Sequence, residues 1–142
     1  MIGQSISSQD TSICFLSNMI ALELLLTRQG DAYLDSLTKR IEAFIGWTTY
    51  WKNLNYPELI QSIYKKRCAM VHNGMVEKIT HDDVQLTDEL LFNIMANIVK
   101  VINILKSKDD LIKFSELVYA ESLLGAKPKI RPKKFRYFKF GA

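Results

Sequence analysis

Histidine and cysteine are scarce, with two of each in 142 residues. Cys14 and Cys68 form no CxxC pair, and together with His72 and His81 they fit no Cys/His metal site of standard spacing. The sequence therefore implies no metal and no cofactor, and the cysteines read as reduced thiols. No base flanks Cys68, so it is not read as a nucleophile. Long apolar runs are missing too. None approaches the ~18–20 residues of a membrane span. Residues 13–26 come nearest, but Ser17, Asn18 and Glu23 interrupt them, and the basic segment that opens a signal peptide is absent. The expectation is a cytoplasmic protein with no membrane association. Internal repeats are lacking, and so is strand-like alternation in the body of the chain.

What is present is ordinary for a globular protein: 48% hydrophobic and 24% charged residues. The length suits one domain with a sizeable core. Charge, however, is unevenly placed. The formal net charge is +4, yet seven basic and no acidic residues follow position 126, which leaves the preceding body at −3. These seven are Lys127, Lys129, Arg131, Lys133, Lys134, Arg136 and Lys139. The organisation expected is a helical body, 1–125, and a basic, aromatic tail, 126–142.

Apolar residues recur at helical spacing through the body. A first helix is expected over about 9–28, with Ile13, Leu16, Ile20 and Leu24 on its core stripe. Asp31 would cap a second helix that ends at Gly46. An aromatic connection follows over 47–56, and Trp47, Tyr50, Trp51 and Tyr56 read as core and loop packing. Pro57 suits the first turn of a third helix ending at His72-Asn73-Gly74. His81-Asp82-Asp83 reads as a solvated turn. Thr87 would cap a long fourth helix reaching Leu105, and a fifth would run from about Asp109 to Leu124. The fold class expected is all-α, an up-and-down bundle of four to five helices.

The third helix carries the chemistry. Its segment Tyr64-Lys65-Lys66-Arg67-Cys68-Ala69-Met70-Val71-His72-Asn73-Gly74 contains Arg-x4-His, with a tyrosine before the arginine and a glycine after the histidine. Upstream stand an acidic residue in an apolar helix, Glu23, and an arginine, Arg40, in the second helix. This set resembles the HEPN superfamily, and more narrowly its Apea-like branch, over roughly residues 19–106. The resemblance implies a metal-independent endoribonuclease in which two copies pair and both Arg/His pairs face one cleft. It also implies a toxin or anti-phage setting, with a possible antitoxin or larger complex as partner.

The chemistry fits those residue types. Cleavage by attack of the RNA 2′-hydroxyl needs a proton shuttle, and histidine is the side chain that titrates near neutrality. It also needs a cation on the phosphate, and arginine offers a planar fork of donors. His72 is thus the candidate acid or base and Arg67 the candidate anion stabiliser. Tyr64, Cys68, Asn73, Glu23 and Arg40 are candidate supporting residues. Many active members carry a polar residue directly after the arginine, whereas here it is Cys68, a poor hydrogen-bond donor. Asn73 is an alternative polar neighbour. The bland readings are equally definite: a histidine near a helix C-terminus is electrostatically favoured without any function, and Glu23 is first of all expected to pair with Arg40 or a third-helix cation.

Residues five apart on a straight helix project roughly 140° apart. Arg67 and His72 can therefore share a site only if the helix loosens at Asn73-Gly74 or if two subunits assemble the cleft. The tail has two readings as well. Its alternating cations and aromatics suit single-stranded RNA, and they equally suit an arm that docks its rings on the bundle or on a second subunit. The leading expectation is a homodimeric endoribonuclease acting on RNA. A non-catalytic dimerisation or RNA-binding module of the same fold is the alternative, and a purely structural interaction protein the third.

Overall fold

The computed structural model describes residues 2–74, 78–125, 130 and 135–140, with side chains from Asp10 onward. All regular secondary structure among these residues is helical. The order is α1 (Ile2–Leu26), α2 (Tyr33–Ile45), α3 (Thr49–Asn53), α4 (Tyr56–Asn73), α5 (His81–Lys100) and α6 (Lys108–Leu123). The all-α bundle read from the sequence is what forms. The short α3 lies inside the stretch expected to be a plain connection.

Helix α2 is central, packing on α1, α4, α5 and α6, while α1 lies along α5. The core joins Phe15, Met19, Leu22 and Leu26 of α1 to Leu37, Ile41, Phe44 and Ile45 of α2, with Ile60 and Ile63 of α4 and Leu90 and Ile94 of α5. This corrects the phase of α1: Ile13, Ile20 and Leu24, expected in the core, are exposed. Because α1 is apolar around much of its circumference, periodicity alone could not select the face. Leu117 of α6 and Ile102 after α5 are likewise exposed.

Helix α5 begins six residues before the expected cap. Thr80 is its N-cap, accepting from the Asp83 backbone N–H at 3.2 Å, while the Asp83 carboxylate accepts from the Thr80 N–H at 2.9 Å. Asp83 is buried and also holds Lys66 of α4 at 2.8 Å. His81-Asp82-Asp83 is therefore the first turn of a helix and not a solvated loop. Asp31 does not cap α2 either. Ala32 holds that position without a side-chain bond, and the Asp31 carboxylate goes to Arg40 and to the Arg28 N–H.

Segment 135–140 packs against the body. Phe135 is buried, its ring meeting Trp47, Phe44 and Phe114. Tyr137 lies between Tyr50 and Tyr56. The Tyr56 and Tyr137 hydroxyls are hydrogen-bonded to each other, and Tyr137 also donates to Glu89 Oε2 at 3.3 Å. Of the two readings of the tail, ring docking on the bundle holds for these residues. Lys127, Lys129, Arg131, Lys133 and Lys134 lie outside the described residues.

Burial raises both Tyr56 and Tyr137 above the ordinary tyrosine value of 10.0, and for Tyr137 the hydrogen bond to Tyr56 adds to the rise. A phenol held neutral by folding contributes stability that is complete below its unfolded value and is lost as pH rises. The urea midpoint is therefore expected to fall between about pH 9 and pH 11 in the wild type. The same titration of Tyr137→Phe should show a shallower alkaline limb, and an unchanged limb would exclude this pair as its source.

Candidate functional site

The sequence of α4 decides which of its residues are buried. Ile60 and Ile63 fix the core face, and Tyr64, Arg67 and Cys68 flank it half-buried beside α1. The Arg67 guanidinium meets Glu23 of α1 edge-on: Nε lies 2.9 Å from Oε1, and Nη2 donates to Oε2 at 3.0 Å. A carboxylate inside an apolar helix needs such a partner, because an unpaired buried charge is expensive. Of the two partners expected for Glu23, the α4 cation is the one found.

Tyr64 belongs to the same cluster. Burial raises its hydroxyl above the ordinary tyrosine value, with Cys68 and Glu23 adding to the rise and Arg67 opposing it. Arg40 does not belong to it. It is buried on α2, and its Nη1 donates at 2.6 Å to Leu26 O and at 2.6 Å to Asp31 Oδ2. A guanidinium placed on the final carbonyl of α1 stabilises that helix end. Arg40 also holds the Asp31 carboxyl below its ordinary value. Its contacts thus tie α1 to α2.

His72 and Asn73 are exposed at the C-terminal end of α4. The helix stays regular to its last residue. Gly74 follows at φ 65°, a left-handed conformation natural to glycine, and its N–H bonds back to Met70 O at 3.0 Å. No loosening redirects His72, so Arg67 and His72 remain five positions apart on an unbroken helix. Glu23, Tyr64, Arg67 and Cys68 are gathered together, while His72 and Asn73 stand apart in solvent.

Sequence reasoning missed the paired rows of exposed apolar residues on neighbouring helices. Ile13, Ile20 and Leu24 follow one line of α1, while Phe92, Met95, Val99 and Ile102 follow one line along α5 and just beyond it. The second row has the three-and-four spacing of a helix–helix seam. The signal is present in the sequence: Ile13, Ile20 and Leu24 read as core positions, and Phe92, Met95 and Val99 enter no stripe.

Neutralising Glu23 leaves the half-buried Arg67 charge without its counter-ion. Glu23→Gln is expected to lose about 1–3 kcal/mol of stability. In a double-mutant cycle with Arg67→Gln by urea denaturation, additive effects would show that the pair contributes nothing. Among the described residues, no helix is long and apolar enough to cross a membrane. No protein-family model matches this sequence, and no curated protein or solved structure matches it.

Proposed function

We propose that the protein is an endoribonuclease of HEPN type, acting as a homodimer on RNA without a metal. His72 moves the protons and Arg67 steadies the phosphate. The observation that carries this reading is the placement of the Arg-x4-His pair: Arg67 is oriented by Glu23 near the α1–α4 junction, and His72 is open to solvent on the same helix. The exposed apolar rows of α1 and α5 support pairing, since large exposed apolar patches mark interfaces. A second copy is also the remaining way to set an arginine against a histidine in one cleft.

In the reaction, the 2′-oxygen forms a bond to phosphorus as the bond to the 5′-oxygen breaks. A base accepts the 2′-hydroxyl proton, and an acid protonates the departing 5′-oxygen. The products carry a 2′,3′-cyclic phosphate and a 5′-hydroxyl. Arg67 would stabilise the charge that builds on the phosphoryl oxygens. A toxin or anti-phage role, held in check by an antitoxin or a larger complex, is the setting that the family resemblance supplies.

The test is incubation of the purified protein with total cellular RNA in EDTA, followed by analysis of the new ends. Cyclic phosphate ends are expected, whereas an absence of cleavage on both total RNA and purified transfer RNA would overturn the reading. A second reading, a non-catalytic dimerisation or RNA-binding module, is favoured by one observation. The carboxylate of Glu23 already neutralises Arg67, and the residue after it is Cys68, not a polar group. Such a module would bind RNA without cutting it.

A further inference from the structure

Segment 135–140 is held by a device that is not needed merely to pack its rings. Gln85, Glu89, Asn93 and Asn97 recur every four residues along one line of α5. Asn97 donates to Arg136 O at 2.9 Å and accepts from Arg136 N at 3.1 Å. Asn93 does the same for Phe138, donating to its O at 2.7 Å and accepting from its N at 2.6 Å. Glu89 accepts from Phe140 N at 2.9 Å, and Gln85 donates to Phe140 O at 3.1 Å.

The repeat lengths explain the match. Four residues of helix rise about 6.0 Å, and two residues of extended chain span about 6.6 Å. One line of a helix can therefore read the N–H and C=O of every second residue, as the edge of a sheet would. Residues 136–140 run antiparallel to α5.

Asn93 and Asn97 are fully buried. Each also donates to a carbonyl of the bundle, Asn93 to Glu89 O at 2.8 Å and Asn97 to Phe44 O at 3.0 Å, and the extended segment satisfies the amide oxygens and second N–H groups that would be costly to leave unbonded. Backbone pairing carries no sequence information. Selectivity falls to the intervening residues, where Phe135 and Tyr137 enter the aromatic wall of α2, α3 and α4. The body before residue 127 carries −3 and the tail +7. Opposite charge thus favours the tail on this surface from whichever copy it comes.

We propose that this row and the aromatic wall form a peptide-binding groove for an extended segment with aromatics at alternate positions, and that residues 135–140 of a second copy can replace the chain's own. The proposal does not depend on the nuclease reading.

The test uses the whole chain with a protease site inserted between Gly125 and Ile130. After cleavage, a fluorescent synthetic peptide of residues 130–142 is added and its anisotropy followed. Saturable entry, reversed by unlabelled peptide, is expected. N-methylation at Phe138, whose N–H meets Asn93, should weaken binding at least about tenfold. N-methylation at Lys139, the next residue, should weaken it far less. Failure of the peptide to enter a nicked protein that keeps its helical signal would overturn the proposal, as would equal effects of the two methylations. If the nicked protein unfolds, hydrogen exchange on the uncut chain decides. Exchange of the 136 and 138 amides by a local opening supports a detachable segment, and exchange only by global unfolding overturns it.

Discussion

On the proposed nuclease reading, His72→Ala is expected to cleave RNA at least about a hundredfold more slowly than the wild type, because positioned acid–base catalysis is worth roughly 10²–10⁴ in rate. The change is well suited to a clean reading. His72 is exposed at the end of α4 and contributes nothing to the core, so helical content, melting temperature and oligomeric state should stay close to wild type. A variant that keeps its fold and assembly and loses cleavage would make His72 part of the chemistry. Equal cleavage by both proteins would remove it from the mechanism. Arg67→Ala is the less informative partner experiment, since it also strands the Glu23 carboxylate. Arg67→Lys keeps the charge and gives up the two-pronged geometry, and it separates the phosphate role from the structural one better.

Phe135→Ala should destabilise the fold by about 3–5 kcal/mol, the cost of deleting a buried aromatic. A domain of this size holds only about 5–15 kcal/mol in total, so the variant would sit near the limit of folding. The size of the effect follows from position: the ring is 5% exposed and meets three aromatic neighbours from α2, the α2–α3 connection and α6. Phe138 supplies the internal control. It is 47% exposed and rests on Phe92 alone among the described rings, so its alanine variant should cost less than about 1 kcal/mol. Urea denaturation of the two variants compares them directly. Similar losses would show that the clasp seen here is not maintained in solution.

The all-helical class was legible because apolar positions recur with helical spacing from α1 to α6, and because Gly74 and Pro57 punctuate α4 where such residues are favoured. The phase of α1 was not legible, since a helix apolar on several faces has no single stripe to read. The start of α5 was misplaced for a different reason. Thr80-x-x-Asp83 is a capping box, but its acidic residue is an aspartate and two further polar residues intervene, so it resembled a turn. At the candidate site, the pairing of Glu23 with a cation followed from the cost of burying a charge. The choice of Arg67 over Arg40 did not, because it depends on how α1 crosses α4 and α2. The polar row of α5 escaped notice for a related reason. Asn93 and Asn97 look like surface residues until an extended strand is laid beside them.

That extended segment also bears on synthesis. A ribosome delivers α1 through α6 before it delivers residues 135–140, so the nascent bundle must wait with Phe44, Trp47 and Phe114 facing an empty ring site. In that interval Asn93 and Asn97 keep their bonds to Glu89 O and Phe44 O but lack Phe138 and Arg136 as partners. Incomplete cores of this kind expose apolar surface and invite association with other chains. A released chain that ends between Gly125 and Phe135 should therefore be more open to proteolysis than one that includes residues 135–140.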